Sequence, residues 1–262
     1  MKKTPDILFR ELLDIMDKLR AECPWDKKQD IHSLRHLTIE ETYELADAII
    51  DNDYQEIKNE LGDILLHIVF YAKIGSERSD NEHFDISDVI ESINEKLIRR
   101  HPHIFSDINA ETDEDVKVNW EKIKLQEKDR KSVLSGVPTS LPSLIKAYRI
   151  QDKVHGVGFD WENVEQVWDK VEEEIAELQE ELKTGESKEN IEMEFGDLLF
   201  ALINYARFID VNPETALEKS NKKFIARFTQ LEKIAKERGK SISDMTLEEM
   251  ENIWQEVKKK SI

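Results

Sequence analysis

Residues 164–209 read VEQVWDKVEEEIAELQEELKTGESKENIEMEFGDLLFALINYARFI, and their pattern decides the fold. Apolar residues recur at helical spacing through Val164–Leu182 and again through Ile191–Ile209. Strand-type alternation is not sustained in either segment. In Glu174-x-x-Glu177 two carboxylates share one helix face about a turn apart, and Glu194-x-x-Asp197 repeats the arrangement on the next helix. If the two helices pack antiparallel, four carboxylates converge. Such a cluster is strongly unfavourable without a cation, and carboxylate oxygens suit magnesium or manganese.

Glu-x-x-Glu alone is common on a solvated helix face, above all in a chain with 57 acidic residues. Asp197 carries more weight because it opens the apolar run Leu198–Ile203, as Asp63 opens Ile64–Leu66. An unpaired carboxylate against such a surface costs several kcal/mol, on the order of buried-charge penalties. Gly196 and Gly62 each cost a helix roughly 1 kcal/mol, which close approach of a neighbouring helix or ligand would explain.

Outward from this stretch the same helical spacing continues. Leu8, Leu12, Ile15, Met16 and Leu19 form one stripe, Ile57, Leu61, Ile64, Leu65 and Ile68 another, and a further one runs through Ala216–Ile234. Thr38 ahead of Glu40 and Glu41, and Asn212-Pro213-Glu214, read as helix starts. Gly, Ser and Pro collect without charge at 132–142 (SVLSGVPTSLP). A linker is expected there, between domains at 1–131 and 143–262.

The two sides match. Glu40, Glu41 and Glu44 correspond to Glu173, Glu174 and Glu177, and Glu60 and Asp63 to Glu194 and Asp197, at an offset of 133 or 134. Trp25-Asp26 is loosely echoed by Phe159-Asp160-Trp161, and Trp120 matches Trp254. Lys96 and Arg100 match Lys223 and Arg227 at an offset of 127, so one connection differs in length. Several matches in one order indicate an internal duplication. The fold class is therefore all-α, a tandem duplication of a helical-bundle unit.

Composition narrows the function. A net charge of −19 over 262 residues repels a phosphate backbone, so a nucleic acid polymer is not an expected partner. One cysteine, Cys23, excludes an intrachain disulfide and is expected to be a buried small residue. With no evident secretory signal and no apolar run long enough for a bilayer, the chain reads as cytoplasmic, with no membrane partner. No G-x-x-x-x-G-K-[ST] loop is present. A di-iron site is not supported, because His67 has Ala201 as its counterpart. His101 and His103 flank a proline in a basic loop and read as structural or surface residues. Lys223 and Arg227, four apart on one face, could clamp phosphate oxygens or lie in solvent. Trp254 could stack on a base or fill a core.

The acidic pairs, Lys223-x-x-x-Arg227, Cys-Pro-Trp-Asp at 23–26, EKLIRRHPHIF at 95–105 and Gly-Phe-Asp-Trp at 158–161 together resemble the MazG family of nucleoside triphosphate pyrophosphohydrolases. The resemblance spans both halves, as in the tandem bacterial members. It implies the all-α pyrophosphohydrolase fold, a homodimer, and magnesium-dependent hydrolysis of NTPs or dNTPs to NMP and pyrophosphate, with activity in the second half. Carried onto this chain, it implies Glu174, Glu177, Glu194 and Asp197 as metal ligands and Glu173 beside Glu174 as a catalytic acid. It implies Lys188, Glu192, Asp197, Lys223, Arg227 and Trp254 as substrate contacts. The chain departs from the family four residues before Glu194, where Asn190 replaces an expected lysine; Lys188 is the candidate replacement. An inactive nucleotide-binding or interaction module, and a hydrolase of a deoxy or damaged nucleotide, are the competing readings, since the first half carries an equally complete acid set.

Overall fold

The computed structural model describes residues 3–106, 112, 123, 132–185 and 187–260. Among them are ten α-helices and no strand, as the helical spacing requires. The chain divides into two compact units, Met1–Thr112 and Asp113–Ile262.

The first unit contains α1 (Pro5–Glu22), α2 (Arg35–Asp51), α3 (Tyr54–Ser76), α4 (Ile86–Arg100) and the single turn α5 (Pro102–Phe105). Two residues join α2 to α3. Asn52 adopts the left-handed conformation (φ 56°) that ends α2. The Asp53 carboxylate then caps α3, accepting from the amides of Gln55 (3.0 Å) and Glu56 (3.1 Å). A link this short forces the helices antiparallel. Met16 of α1 and Val69 and Phe70 of α3 bury against Leu34, with Phe9, Leu12, Leu13 and Leu37 packed around them. Each fully buried side chain of this kind contributes about 2 kcal/mol. The inward face of α1 is thus Phe9, Leu12, Leu13 and Met16, whereas Leu8, Ile15 and Leu19 of the expected stripe stay exposed. The apolar residues of α1 cover more of its circumference than one neighbour can bury.

Thr38 does not start a helix, because α2 already begins at Arg35. Its hydroxyl lies 3.1 Å from the Leu34 carbonyl and 2.7 Å from both His67 Nδ1 and the Tyr71 hydroxyl. With its one proton on the carbonyl, it accepts from the other two. Arg20 fixes the Cys-Pro-Trp-Asp turn, donating to the carbonyls of Asp26 and Gln29 and pairing with Glu77 at 2.9 Å. Cys23, expected to be buried, is half-buried at the end of α1.

The second unit contains α6 (Ser143–His155), α7 (Val164–Thr184), α8 (Lys188–Phe208), α9 (Pro213–Glu237) and α10 (Leu247–Lys260). Gly185 (φ 64°) ends α7, and Ser187 caps α8 by accepting from the amide of Glu189 at 3.2 Å. α7 and α8 therefore form the second antiparallel pair. Asn212 caps α9 by accepting from Thr215 N, with Pro213 at its first position, as read from the sequence. Leu231, Ile234 and Ala235 of α9 and Ile253 and Val257 of α10 form the apolar core of that pair. The 132–142 stretch holds one 3-10 turn capped by Ser132, and the Val133 carbonyl accepts from the buried Lys153 ammonium at 3.3 Å. Trp120, the sequence counterpart of Trp254, lies outside the described residues.

Candidate active site

In α7 the buried positions are Val167, Val171 and Glu174, so a carboxylate continues the stripe that packs against α8. Glu174 is only 6% exposed. One oxygen each of Glu174, Glu194 and Asp197 lies within 4.8 Å of the others. Three of the four expected carboxylates thus converge. Glu177 stands beside the trio and outside it. Burial pushes its carboxyl above the usual range, as do the charges of Glu174, Glu173 and Glu194, against the pull of Lys170.

The first unit assembles its own trio from a different choice of the matching residues: Glu41, Glu44 and Glu60 lie within 4.8 Å, without Asp63. Burial raises the Glu60 carboxyl, with the charges of Glu44, Glu41 and Asp63. Burial likewise raises Glu41, with Asp63 and Glu44. The buried acids are Glu60 and Glu174, whereas Asp63 and Asp197, expected to carry the burial cost, are exposed. Nothing lies within 4 Å of a Cβ placed on Gly62 or Gly196. The expected close approach of a protein neighbour at these glycines is absent, and each leaves open space beside its Asp.

Spacing arguments missed Lys170. Its ammonium lies 2.7 Å from Glu174 and 2.9 Å from Glu173. The hydrogen bonds to Glu174 and then Glu173 raise its pKa well above that of an ordinary lysine. The available signal was its position four residues before Glu174, together with Leu37 at the matching place in the first half. The donor set at the trio is entirely carboxylate oxygen, which fits a hard divalent cation. Lys170 already holds a positive charge against the buried member.

The other expected contacts are more dispersed. Glu173 is exposed and paired with Lys170. Lys188 and Glu192 are exposed on the first turns of α8. Lys223 is exposed on α9, and Arg227, one turn on, is half-buried, with its Nε buried and without a hydrogen-bond partner. Trp254 is half-buried on α10. Its ring lies 5.2 Å from that of Phe224, which is 57% exposed, so part of the tryptophan packs on the core and part forms an aromatic surface.

The Gly-Phe-Asp-Trp stretch braces this unit. Gly158 takes a φ of 82° that a side chain would resist. Asp160 follows, accepting from Arg207 of α8 at 2.6 Å and pairing with His155 of α6 at 2.6 Å. Burial opposes ionisation of Asp160, but the Arg207 hydrogen bond and charge hold its carboxyl below the usual range. Gln151 adds a second tie from α6, donating to the Phe200 carbonyl at 2.7 Å.

The MazG nucleotide pyrophosphohydrolase domain matches the chain twice, over residues 29–105 and 162–231. The first match contains α2 and α3 with one acid trio, and the second contains α7 and α8 with the other. The chain is 43% identical over 258 residues to a nucleoside triphosphate pyrophosphohydrolase of Escherichia coli (strain K12), covering 96% of this chain and 97% of that one. It is 43% identical over 260 residues to the nucleoside triphosphate pyrophosphohydrolase/pyrophosphatase MazG of Thermotoga maritima, covering 98% of each. It is also 46% identical over 254 residues to the uncharacterized protein YabN of Bacillus subtilis, covering 95% of this chain and 51% of that one.

Proposed function

Because the chain belongs to the MazG nucleotide pyrophosphohydrolase family, we propose that it hydrolyses nucleoside triphosphates, ribo and deoxy alike, between the α and β phosphates. The products are NMP and pyrophosphate. The chemistry takes place in the second unit, at Glu174, Glu194 and Asp197, with Glu177 as the reserve ligand. The convergence of these three carboxylates from two helices is the observation that carries this reading.

A magnesium ion, with manganese as a substitute, is the cofactor that such a donor set would hold. When bound, it supplies Lewis acidity and offsets the charge of the triphosphate. The chain's own residues do the rest. Lys223 and Arg227 bind phosphate oxygens on the leaving side, where negative charge grows as the bond breaks. Glu173 orients the attacking water and takes its proton, once Lys170 turns from the two glutamates toward the substrate. Trp254 and Phe224 offer the base an aromatic surface that sets no strict base preference. Lys188 and Glu192, exposed on the first turns of α8, contact the substrate from there.

We also propose that the protein works as a homodimer. Met193, Phe195 and Leu199 of α8 and Phe224 and Ile225 of α9 are each between 45% and 61% exposed. Large apolar side chains exposed on the helices of a catalytic unit suit a subunit interface. No helix among the described residues is long and apolar enough to cross a membrane, and the cytoplasm is the proposed compartment.

The test is incubation of the purified protein with magnesium and each NTP and dNTP, with products resolved as NMP plus pyrophosphate or NDP plus phosphate. Glu41→Ala and Glu174→Ala are run alongside. NMP plus pyrophosphate, lost only in Glu174→Ala, is expected. No turnover by folded wild-type protein would leave a nucleotide-binding module instead.

A further inference from the structure

We propose that Lys153 is a positioning residue for the acids of the second unit: it straps residues 132–142 onto α6, and α6 in turn holds α8, which carries Glu194 and Asp197, in axial place. The consequence for turnover rests on the reaction proposed above; the hold on α8 does not.

A lysine that is only 1% exposed needs a reason. A buried ammonium is costly unless its donors are met, and leucine or methionine at the same place would pack without that cost. Lys153 donates to the Val133 carbonyl at 3.3 Å. Two turns back on the same helix, Lys146 donates to the Thr139 carbonyl at 2.6 Å. The two lysines lie about 10 Å apart along α6 and grip the stretch at two points. Its composition reads as a linker, yet it falls within the second compact unit and packs its 3-10 turn on α6. Val133, Val137 and Leu141 are half-buried there. Charge-assisted bonds to main-chain oxygens reinforce that small apolar contact.

The first unit supplies the comparison. At the offset that aligns Asp160 with Asp26, Lys153 falls on Leu19, which is 37% exposed. One helical position is thus apolar and open in the first copy, basic and closed over in the second. The buried lysine belongs to the copy on which the 132–142 stretch lies.

Lys153 sits between two residues that lead to α8. Gln151, 4% exposed, donates to the Phe200 main-chain carbonyl at 2.7 Å, one turn past Asp197. His155 pairs with Asp160, which accepts from Arg207 near the end of α8. A bond to the main chain fixes the helix itself, whatever rotamers its side chains adopt. α6 also packs against α9, the helix of Lys223 and Arg227. The oxygens of Glu174, Glu194 and Asp197 meet within 4.8 Å only while α8 keeps its place along α7. A misplacement of about 1 Å can cost roughly 100-fold in rate. Lifting the strap uncovers the last turns of α6 and loosens both of its ties to α8.

The test uses the full chain as wild type, Lys153→Met, Lys153→Arg, Lys146→Ala and Gln151→Met, with circular dichroism checking each fold. Elastase cleavage within 132–142, hydrogen exchange of the α8 amides, and kcat and KM at saturating magnesium are measured. Lys153→Met is expected to be cut about tenfold faster and to exchange faster around Phe200. It should lose about tenfold in kcat, with KM within about twofold of wild type. Lys153→Arg keeps donors and is expected to restore protection and kcat. Gln151→Met acts beyond the strap and should lower kcat while 132–142 stays protected. Lys146→Ala, which releases the other end of the strap, guards against a folding failure at Lys153 and should shift all three readings the same way. A freed strap with α8 exchange or kcat unchanged would overturn the proposal, as would undiminished protection in Lys153→Met. An inactive wild type would count against the proposed reaction alone, since cleavage and exchange do not use it.

Discussion

Lys170 and Glu174 stand one turn apart on α7 with ammonium and carboxylate 2.7 Å apart, while the equivalent pair on α2 is Leu37 and Glu41. One unit thus carries its counter-charge within the chain. Before any cation binds, Lys170 is the group that makes a buried glutamate tolerable at the centre of the helix pair.

Replacing Lys170 with methionine is accordingly expected to destabilise the chelator-treated protein, by roughly 1–3 kcal/mol for a buried charge left without its partner. Saturating magnesium should recover most of the loss. Thermal unfolding with and without chelator checks both halves of the expectation. An equal loss in both conditions would mean that Lys170 acts by packing and not by charge.

Glu174→Ala is expected to reduce turnover by at least ~100-fold, the scale set by damage to a metal's surroundings. The fold should survive, because Val167 and Val171 remain in the stripe. Single-turnover kinetics together with a far-ultraviolet spectrum distinguish this from unfolding.

Thr38, His67 and Tyr71 form a partly buried polar network, so Thr38→Val and His67→Ala should each cost roughly 1–3 kcal/mol by orphaning a partner. The double variant, which copies Val171 and Ala201, should cost less than the sum of the two. A double-mutant cycle by urea unfolding measures that coupling. Burial holds the His67 imidazole below its ordinary pKa, with the Asp63 charge opposing. A depressed folded-state value means that the unfolded chain binds the proton first. Stability from this residue is therefore lost as pH falls below about 6.5, and the loss should vanish in His67→Ala.

Asp160 titrates in the same direction at lower pH. Its carboxyl is depressed in the folded state, so its contribution is complete above the ordinary carboxylate range and disappears as pH falls through the folded value. Asp160→Asn removes the charge that Arg207 and His155 share and should cost roughly 1–2 kcal/mol at neutral pH, since the pair is partly solvated. Unfolding across pH 2 to 7 should show the variant and wild type converging at the acid end.

Sequence reasoning reached the all-helical class, the duplication and the two acid-bearing helix pairs, because helical period and copy-to-copy offset are properties of order along the chain. The family followed from motifs of the same kind. Which acid in each set is buried was not legible. Asp197 opens an apolar run and reads as the costly residue, yet it is exposed and Glu174 is buried instead. Which face a helix turns inward is set by its tertiary packing, and residue spacing does not encode it. Thr38 misled for a different reason: its hydroxyl caps nothing and is spent on His67 and Tyr71, partners some thirty residues away.

Glu60 and Glu174 occupy positions where leucine or methionine would pack with less cost. A population of this protein selected only for heat tolerance, in a medium without divalent ions, should therefore drift toward apolar residues at 60 and 174. The descendants would be hardier than the parent. Those changed at 174 would be inert, and a screen that never asks for turnover would score them as improvements.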